Sequence, residues 1–202
     1  MLRQTPKFGS LPLLALLLLL TACGSTIQPK YYLLTPAADN NTGSDQKPLQ
    51  ISVGPVTLPA YLDRSQIVTR RNITELELAD GYRWAEPLQK NFSAVLAENL
   101  RQQLHNATVV VYPSGERTNI NIDYRVTVDV IRFDTDATGD AVLIADWSIQ
   151  DGKRHPVLTS KRSRYRANVG TTSDYADIVT ALSDTVAQLG RDITAAVTEA
   201  SH

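Results

Sequence analysis

From residue 49 onward, apolar side chains recur at two kinds of interval, and these intervals divide the chain into strands and helices. Leu49, Ile51 and Val53 alternate with Gln50 and Ser52, the period of a half-buried strand, and Gly54-Pro55 interrupts the run before Val56-Thr57-Leu58-Pro59. Short strands are expected from Gln66 to Arg70 and from Ile73 to Leu78, with a turn near Arg71-Asn72. Behind Pro87, a residue suited to a first helical position, Leu88, Phe92, Val95, Leu96, Leu100 and Leu104 recur at steps of three and four. This predicts a helix with one apolar face, ending near His105-Asn106, where Asn takes the left-handed conformation. The β-branched run Thr108 to Tyr112 reads as a strand closed by Pro113-Ser114-Gly115.

The most regular alternation follows. Ile120, Ile122, Tyr124, Val126, Val128 and Val130 face one way, with Asn119, Asn121, Asp123, Arg125, Thr127 and Asp129 between them. The phase then slips to Ile131 and Phe133, which a β-bulge near Val130-Ile131 explains. Beyond the Thr138-Gly139-Asp140 turn, Ala141, Leu143, Ala145, Trp147 and Ile149 form another face, Gly152 marks a turn, and a strand from Leu158 to Val169 completes an antiparallel meander. Ser173-Asp174 caps a second helix whose stripe runs through Tyr175, Ile178, Leu182, Val186, Leu189, Ile193 and Val197, weakened only at Gly190. That stripe also fits a coiled-coil seam, but few charges flank it, which favours a globular core. The fold expected is one α/β (α+β) domain, a mixed and mostly antiparallel sheet packed with two amphipathic helices. Tyr31-Tyr32-Leu33-Leu34 adds a short strand near its start, followed by a surface loop from Thr35 to Lys47.

The N-terminus follows different rules. Arg3 and Lys7, with no acid, precede about a dozen apolar residues ending at Leu20, which describes a secretory signal peptide and falls short of the roughly 20 a membrane span needs. Leu20-Thr21-Ala22-Cys23 then resembles a bacterial lipobox, in which the cysteine is acylated and becomes the new N-terminus. A plain signal peptide with a leftover thiol is the other reading, but Cys23 is the only cysteine, and an unpaired one in a secreted chain calls for a reason. The chain therefore divides into a removed signal peptide (1–22), a lipidated tether (23–30) and a periplasmic domain (31–202). At 3.3 to 3.6 Å per extended residue, the seven residues from Gly24 to Lys30 reach at most roughly 25 Å.

Charge and chemistry narrow the class. With 20 basic and 21 acidic side chains the chain has no excess positive charge for nucleic acid. Three histidines, His105, His155 and His202, lie far apart with neither a metal-ligand spacing nor a nucleophile motif nearby. Asp134 and Asp136, close to Gly139, read as a solvated turn rather than a paired-carboxylate site. The expectation is no enzyme, no metal and no cofactor beyond the covalent lipid.

Two features are left as candidate contacts. Arg162, Arg164 and Arg166 share one strand face, either as a basic stripe for lipid phosphate or an acidic partner, or as a solvated face paired with residues such as Asp123, Asp129 or Asp146. Tyr61-Leu62-Asp63-Arg64 and Tyr82-Arg83-Trp84-Ala85-Glu86-Pro87-Leu88 mix aromatics with charges, as protein interfaces do, though ordinary loop packing produces the same mixture.

These last segments, with the Tyr-Tyr-Leu-Leu strand, Val53-Gly54-Pro55-Val56, Leu58-Pro59-Ala60 and Gln66-Ile67-Val68, resemble the PqiC-type ABC-transport auxiliary lipoproteins. Trp147 and Tyr175 fit the same pattern. The resemblance implies a non-enzymatic auxiliary subunit of an Mce (mammalian cell entry) and ABC-type system for intermembrane phospholipid transport. It implies an outer-membrane anchor on the periplasmic face, with which Gly24-Ser25 after the acylated cysteine agrees. Tyr61, Leu62, Arg64 and Trp84 become expected contacts for an Mce-domain protein, and a homo-oligomer matching the rings of such proteins is expected. Two other functions stay open: a carrier binding phospholipid in its own pocket, and a structural lipoprotein of envelope assembly.

Overall fold

The computed structural model describes residues 28–38, 48–113, 121–170 and 174–201. Among these, eight strands and two α-helices follow one another: β1 (Lys30–Tyr32), β2 (Leu49–Thr57), β3 (Gln66–Arg70), β4 (Leu76–Trp84), α1 (Leu88–Gln103), β5 (Ala107–Val111), β6 (Tyr124–Thr135), β7 (Ala141–Asp151), β8 (Val157–Ala167) and α2 (Tyr175–Ala200). The strands make two sheets, ordered β1-β4-β3 and β5-β2-β6-β7-β8. Pairing is mixed: β2 runs parallel to β5 and β6, and β1 parallel to β4, while β3-β4, β6-β7 and β7-β8 are antiparallel. The α+β domain thus has the composition that the two periodicities predict.

Burial explains the layering. Ile51, Val126, Val128, Val130, Leu143, Trp147 and Ile149 of the larger sheet join Leu96, Leu100, Leu182, Leu189 and Ile193 of the helices in one closed core. α1 lies along β2 and β5, and α2 along β6, β7 and β8. The weak point in the α2 stripe, Gly190, is where the helices meet: a Cβ there would stand 3.2 Å from Asn99 Cβ. The segment after β1 is laid across this helix pair by side chains that satisfy its backbone. Leu34 N–H donates to Asn91 Oδ1 (2.7 Å), Thr35 N–H to Ser183 Oγ (3.2 Å) and Ala37 N–H to Asn99 Oδ1 (2.9 Å). No described helix is long and apolar enough to cross a membrane.

Several expected boundaries move, each for a local reason. β2 runs on through Gly54-Pro55, with its register against β6 shifting between Val53 and Val56. Pro87 precedes α1 as its cap residue, and Asn106 does not take the left-handed conformation, which His155 alone adopts among described non-glycine residues. The chain instead leaves α1 through hydrogen bonds from Leu104 N–H to Leu100 O (2.9 Å) and from Ala107 N–H to Leu104 O (2.7 Å). β6 begins at Tyr124, later than the alternation predicts, and residues 114–120 lie outside the described residues. Its bulge is where the phase slip places it, with pairing moving from Val130–Ala145 to Arg132–Ile144. Ile131, however, is the extra residue and turns outward (38% exposed), so Phe133 alone carries the core role. β4 begins at Leu76, later than expected, and runs on through Tyr82-Arg83-Trp84, which pair with β1, while residues 79–82 interrupt its pairing with β3. The cap of α2 is Asp174, whose side chain accepts from Ala176 N–H; Ser173 lies outside the described residues.

Candidate functional site

The Leu58-Pro59-Ala60-Tyr61-Leu62-Asp63-Arg64 motif folds as an extended residue, Pro59, leading into a short 3-10 turn at Ala60–Leu62. The turn sends Leu62 into the core and points Tyr61 at the far half of β6. There Tyr61 Oη donates to Asp134 Oδ2 (3.0 Å) and accepts from Phe133 N–H (3.4 Å). Asp134 has no solvent exposure and also accepts from Arg70 Nη2 (2.9 Å), Arg70 Nε (3.3 Å) and Arg132 Nε (2.7 Å). The expectation of a solvated Asp134 is therefore corrected: two guanidinium groups and a phenol close around it, leaving no lone pair for a substrate. Asp136 alone serves the turn, its Oδ1 accepting from Thr138 N–H, Thr138 Oγ1 and Asp140 N–H. Neither Arg70 nor Arg132 stands out in the sequence. The available signal is the pair of charges, Arg132 and Asp134, flanking Phe133 just after the phase slip.

Burial, together with the charge of Asp134, pushes the Tyr61 phenol up to about 12. Tyr165 is raised to about 12 as well, by burial and by its hydrogen bond to Asp192 Oδ2 (2.8 Å). Both phenols keep their protons in the fold at pH values where the unfolded chain, titrating near 10, has lost them. Their stabilising contribution is thus complete below pH 10 and is lost as pH rises through about 12. Tyrosinate absorbance should show late-titrating groups, one disappearing in Tyr61→Phe and another in Tyr165→Phe. Titration of all eight tyrosines together near pH 10 would contradict both assignments.

The second motif, Arg83 to Leu88, ends β4 and starts α1. Trp84 is 6% exposed and donates its backbone N–H to Ser65 O (2.7 Å), tying the two motifs together. An open groove of about 360 Å³ lies between residues 63–65 and 84–88. Of the four residues expected to meet a partner, Leu62 and Trp84 belong to the core, Tyr61 is engaged with Asp134, and Arg64 stands exposed on the groove. Tyr82 stacks on Tyr175 at the start of α2, ring centroids 4.0 Å apart, with Tyr32 and the Lys30 ammonium beside it.

The basic stripe lies on β8, an edge strand of the larger sheet. Arg162 forms a bidentate pair with Asp146 (2.7 Å for both bonds), and Arg166 reaches Asp140 (2.8 Å) and Asp136 (2.5 Å). Asp129 bonds Thr57 instead of an arginine, and Asp123 pairs with Lys153 at 3.6 Å. Arg164 is exposed between the two paired arginines, and its guanidinium makes no ion pair or hydrogen bond among the described residues. Next to the stripe, residues of β2, β6, β7 and β8 line a shallow depression of about 410 Å³, with Thr57, Thr127, Ser148 and Ser160 on its walls. Among the described residues no group of three or more His, Cys, Asp or Glu side chains could hold a metal ion. Cys23 lies outside the described residues.

Comparison with known proteins agrees with this architecture. The family model described as ABC-type transport auxiliary lipoprotein component matches residues 31–194. The intermembrane transport lipoprotein PqiC of Escherichia coli (strain K12) is 25% identical over 166 residues, covering 81% of this chain and 84% of the relative. PqiC of Shigella flexneri matches to the same extent. Among solved structures, an uncharacterized protein superposes with a TM-score of 0.69 at 20% identity, over 84% of this chain and 99% of that one. A Xanthomonas campestris protein superposes with a TM-score of 0.68 at 18% identity, over 85% and 99%. At these identities the two structures establish a shared fold.

Proposed function

Since the chain belongs to the family of ABC-type transport auxiliary lipoproteins, we propose that it is a non-enzymatic docking subunit of intermembrane phospholipid transport, anchored by acyl chains on Cys23 to the periplasmic face of the outer membrane. Its partner in this reading is an Mce-domain transport protein, and a homo-oligomer would match the symmetry of such a partner. The observation that carries the proposal is one of order along the chain. The family match begins at residue 31, with only the seven residues from Gly24 to Lys30 between it and the lipobox-like Leu20-Thr21-Ala22-Cys23 tetrapeptide. A match to transport auxiliaries and a lipobox-like tetrapeptide thus adjoin in the chain, which supports a domain held close to a membrane.

For the partner contact we assign Arg164. It is the guanidinium of the β8 stripe that the fold does not use, and it stands on an open sheet face beside the hydroxyl-walled depression. An acidic side chain of the partner is its expected counterpart. Full-length protein purified in detergent should carry an acyl mass on Cys23 and co-purify an Mce-domain protein. Cys23→Ser should leave the membrane fraction for the soluble one. Arg164→Glu should reduce partner recovery about tenfold with anchoring unchanged. A Cys23→Ser protein that fractionates like the parent removes the anchor, and full partner recovery with Arg164→Glu removes the contact.

A further inference from the structure

Register places an uncommitted surface beside the point where the tether enters the fold. Tyr31 of β1, Arg83 of β4 and Gln66 of β3 stand opposite one another, so their side chains share a face of the three-stranded sheet. Backbone hydrogen bonds from Ala85 N–H to Tyr32 O (2.9 Å) and from Trp84 N–H to Ser65 O (2.7 Å) carry the pairing one residue further. The next row on that face is then Leu33, Ala85 and Arg64. The alternate residues Leu34 and Trp84 turn into the core. Outside, Tyr31 is 61% and Leu33 45% exposed, and Arg64, Arg83 and Ala85 are exposed as well. Neither guanidinium group makes an ion pair or hydrogen bond among the described residues. The acids nearest in the chain are Asp63, on the groove, and Glu86, which pairs with Lys90 at 3.4 Å.

A tyrosine and a leucine on the edge strand, with two uncommitted guanidinium groups further across the same face, suit the boundary between acyl chains and lipid phosphates. A tyrosine ring is apolar with one polar tip, and guanidinium binds phosphate with two parallel hydrogen bonds. We propose that this face lies on the phospholipid bilayer that holds the acyl anchor, with Tyr31 and Leu33 at headgroup depth and Arg64 and Arg83 on lipid phosphates. The tether favours this occupant. Seven residues reach at most roughly 25 Å, and the chain enters the fold at Lys30, in the strand that supplies Tyr31. This part of the domain cannot move far from the membrane. The inference rests on acylation of Cys23 and deepens it: the domain is oriented on the membrane, not merely leashed to it. It also gives Arg64 a lipid counterpart in place of a protein one.

Because Cys23 is the only cysteine, a thiol introduced as Leu33→Cys or Ala85→Cys is the sole labelling site in the acylated protein. With an environment-sensitive fluorophore, in vesicles of phosphatidylethanolamine and phosphatidylglycerol doped with headgroup spin-labelled lipid, both positions should be quenched about threefold more than Ser160→Cys on β8. Adding Arg64→Glu and Arg83→Glu should abolish most of that difference while the protein still floats with the vesicles. Equal quenching at all three positions overturns the proposal. So does a probe at Leu33 or Ala85 that is unquenched in vesicles and shielded only when an Mce-domain protein is added, which would make this the protein-docking face. Intact mass of the same sample reports acylation separately. Missing acyl chains overturn the anchor, whereas acyl chains with uniform quenching overturn only the oriented face.

Discussion

Asp134→Ala is expected to cost about 3–5 kcal/mol, because removing one member of a buried ion network leaves its partners charged and uncompensated. For a domain of this size that is a fall of roughly 10 °C in Tm. The carboxylate is wholly buried and gathers Arg70, Arg132 and Tyr61. Without it, two guanidinium groups that are themselves largely buried face each other, and the Tyr61 hydroxyl loses its acceptor. Asp134→Asn, which keeps one carbonyl acceptor, should lose less. The decisive comparison is the triple replacement Asp134→Leu, Arg70→Met, Arg132→Met, which should recover most of the stability because apolar side chains of similar volume can replace a buried network. Chemical denaturation checks all three, and an Asp134→Ala protein within about 1 kcal/mol of the parent would show that the network is not a tie. The effect should extend to the membrane-side face. The network clamps the Ala60–Leu62 turn and β3 onto β6, and Arg64 lies two residues beyond that turn.

The importance of Asp134 could not be read locally. Beside a Gly139 turn an aspartate looks solvated, and what buries it is Arg70, 64 positions away in the chain. Nonlocal pairing of this kind leaves no periodic trace. Where burial does follow a period, the reading holds. The alternations of β6 and β7 and the three- and four-residue steps of both helices match buried faces, and the slip at Val130-Ile131 matches a register shift. The pattern shows that a residue is inserted but not which way it turns, so Ile131 reads as core and is found outside. Tyr82-Arg83-Trp84 hides as a strand for a related reason, since the bulge at residues 79–82 breaks the alternation. The candidate contacts divide in the same way. The aromatic and charged motif around Tyr61 is distinctive, yet Leu62 and Trp84 are distinctive as packing residues, and Arg64 is the member left facing out. Tyr31 and Arg83 become a pair only through β1–β4 register, which composition does not contain.

Gly152→Ala is expected to be costly for a reason that a turn glycine does not ordinarily have. A Cβ at this position would lie 2.1 Å from the Ile122 carbonyl oxygen and 2.6 Å from its carbon, so backbone must move. The contact it would push apart is the one that enters β6: Gly152 N–H donates to Asp123 O (2.8 Å). Asp123 in turn bonds β2, its backbone N–H donating to Gln50 O (2.8 Å) and its Oδ2 accepting from Gln50 N–H (3.0 Å). One methyl group thus strains the β7–β8 turn and the β2–β6 junction together, a loss of about 3 kcal/mol at the upper end of overpacking effects. Gly139→Ala is the matched control. Gly139 has a φ of +92° and nothing within 4 Å of a built Cβ, so its replacement should cost only the backbone term of about 1–2 kcal/mol. Hydrogen exchange separates the two beyond their size. Gly152→Ala should lower protection at the Gln50 and Asp123 amides while sparing α1 and α2, and Gly139→Ala should disturb only its own hairpin. Equal losses in the two variants, or unchanged protection at Gln50, would mean that the turn yields without dragging β2 and that the close approach at Ile122 is not what positions β6.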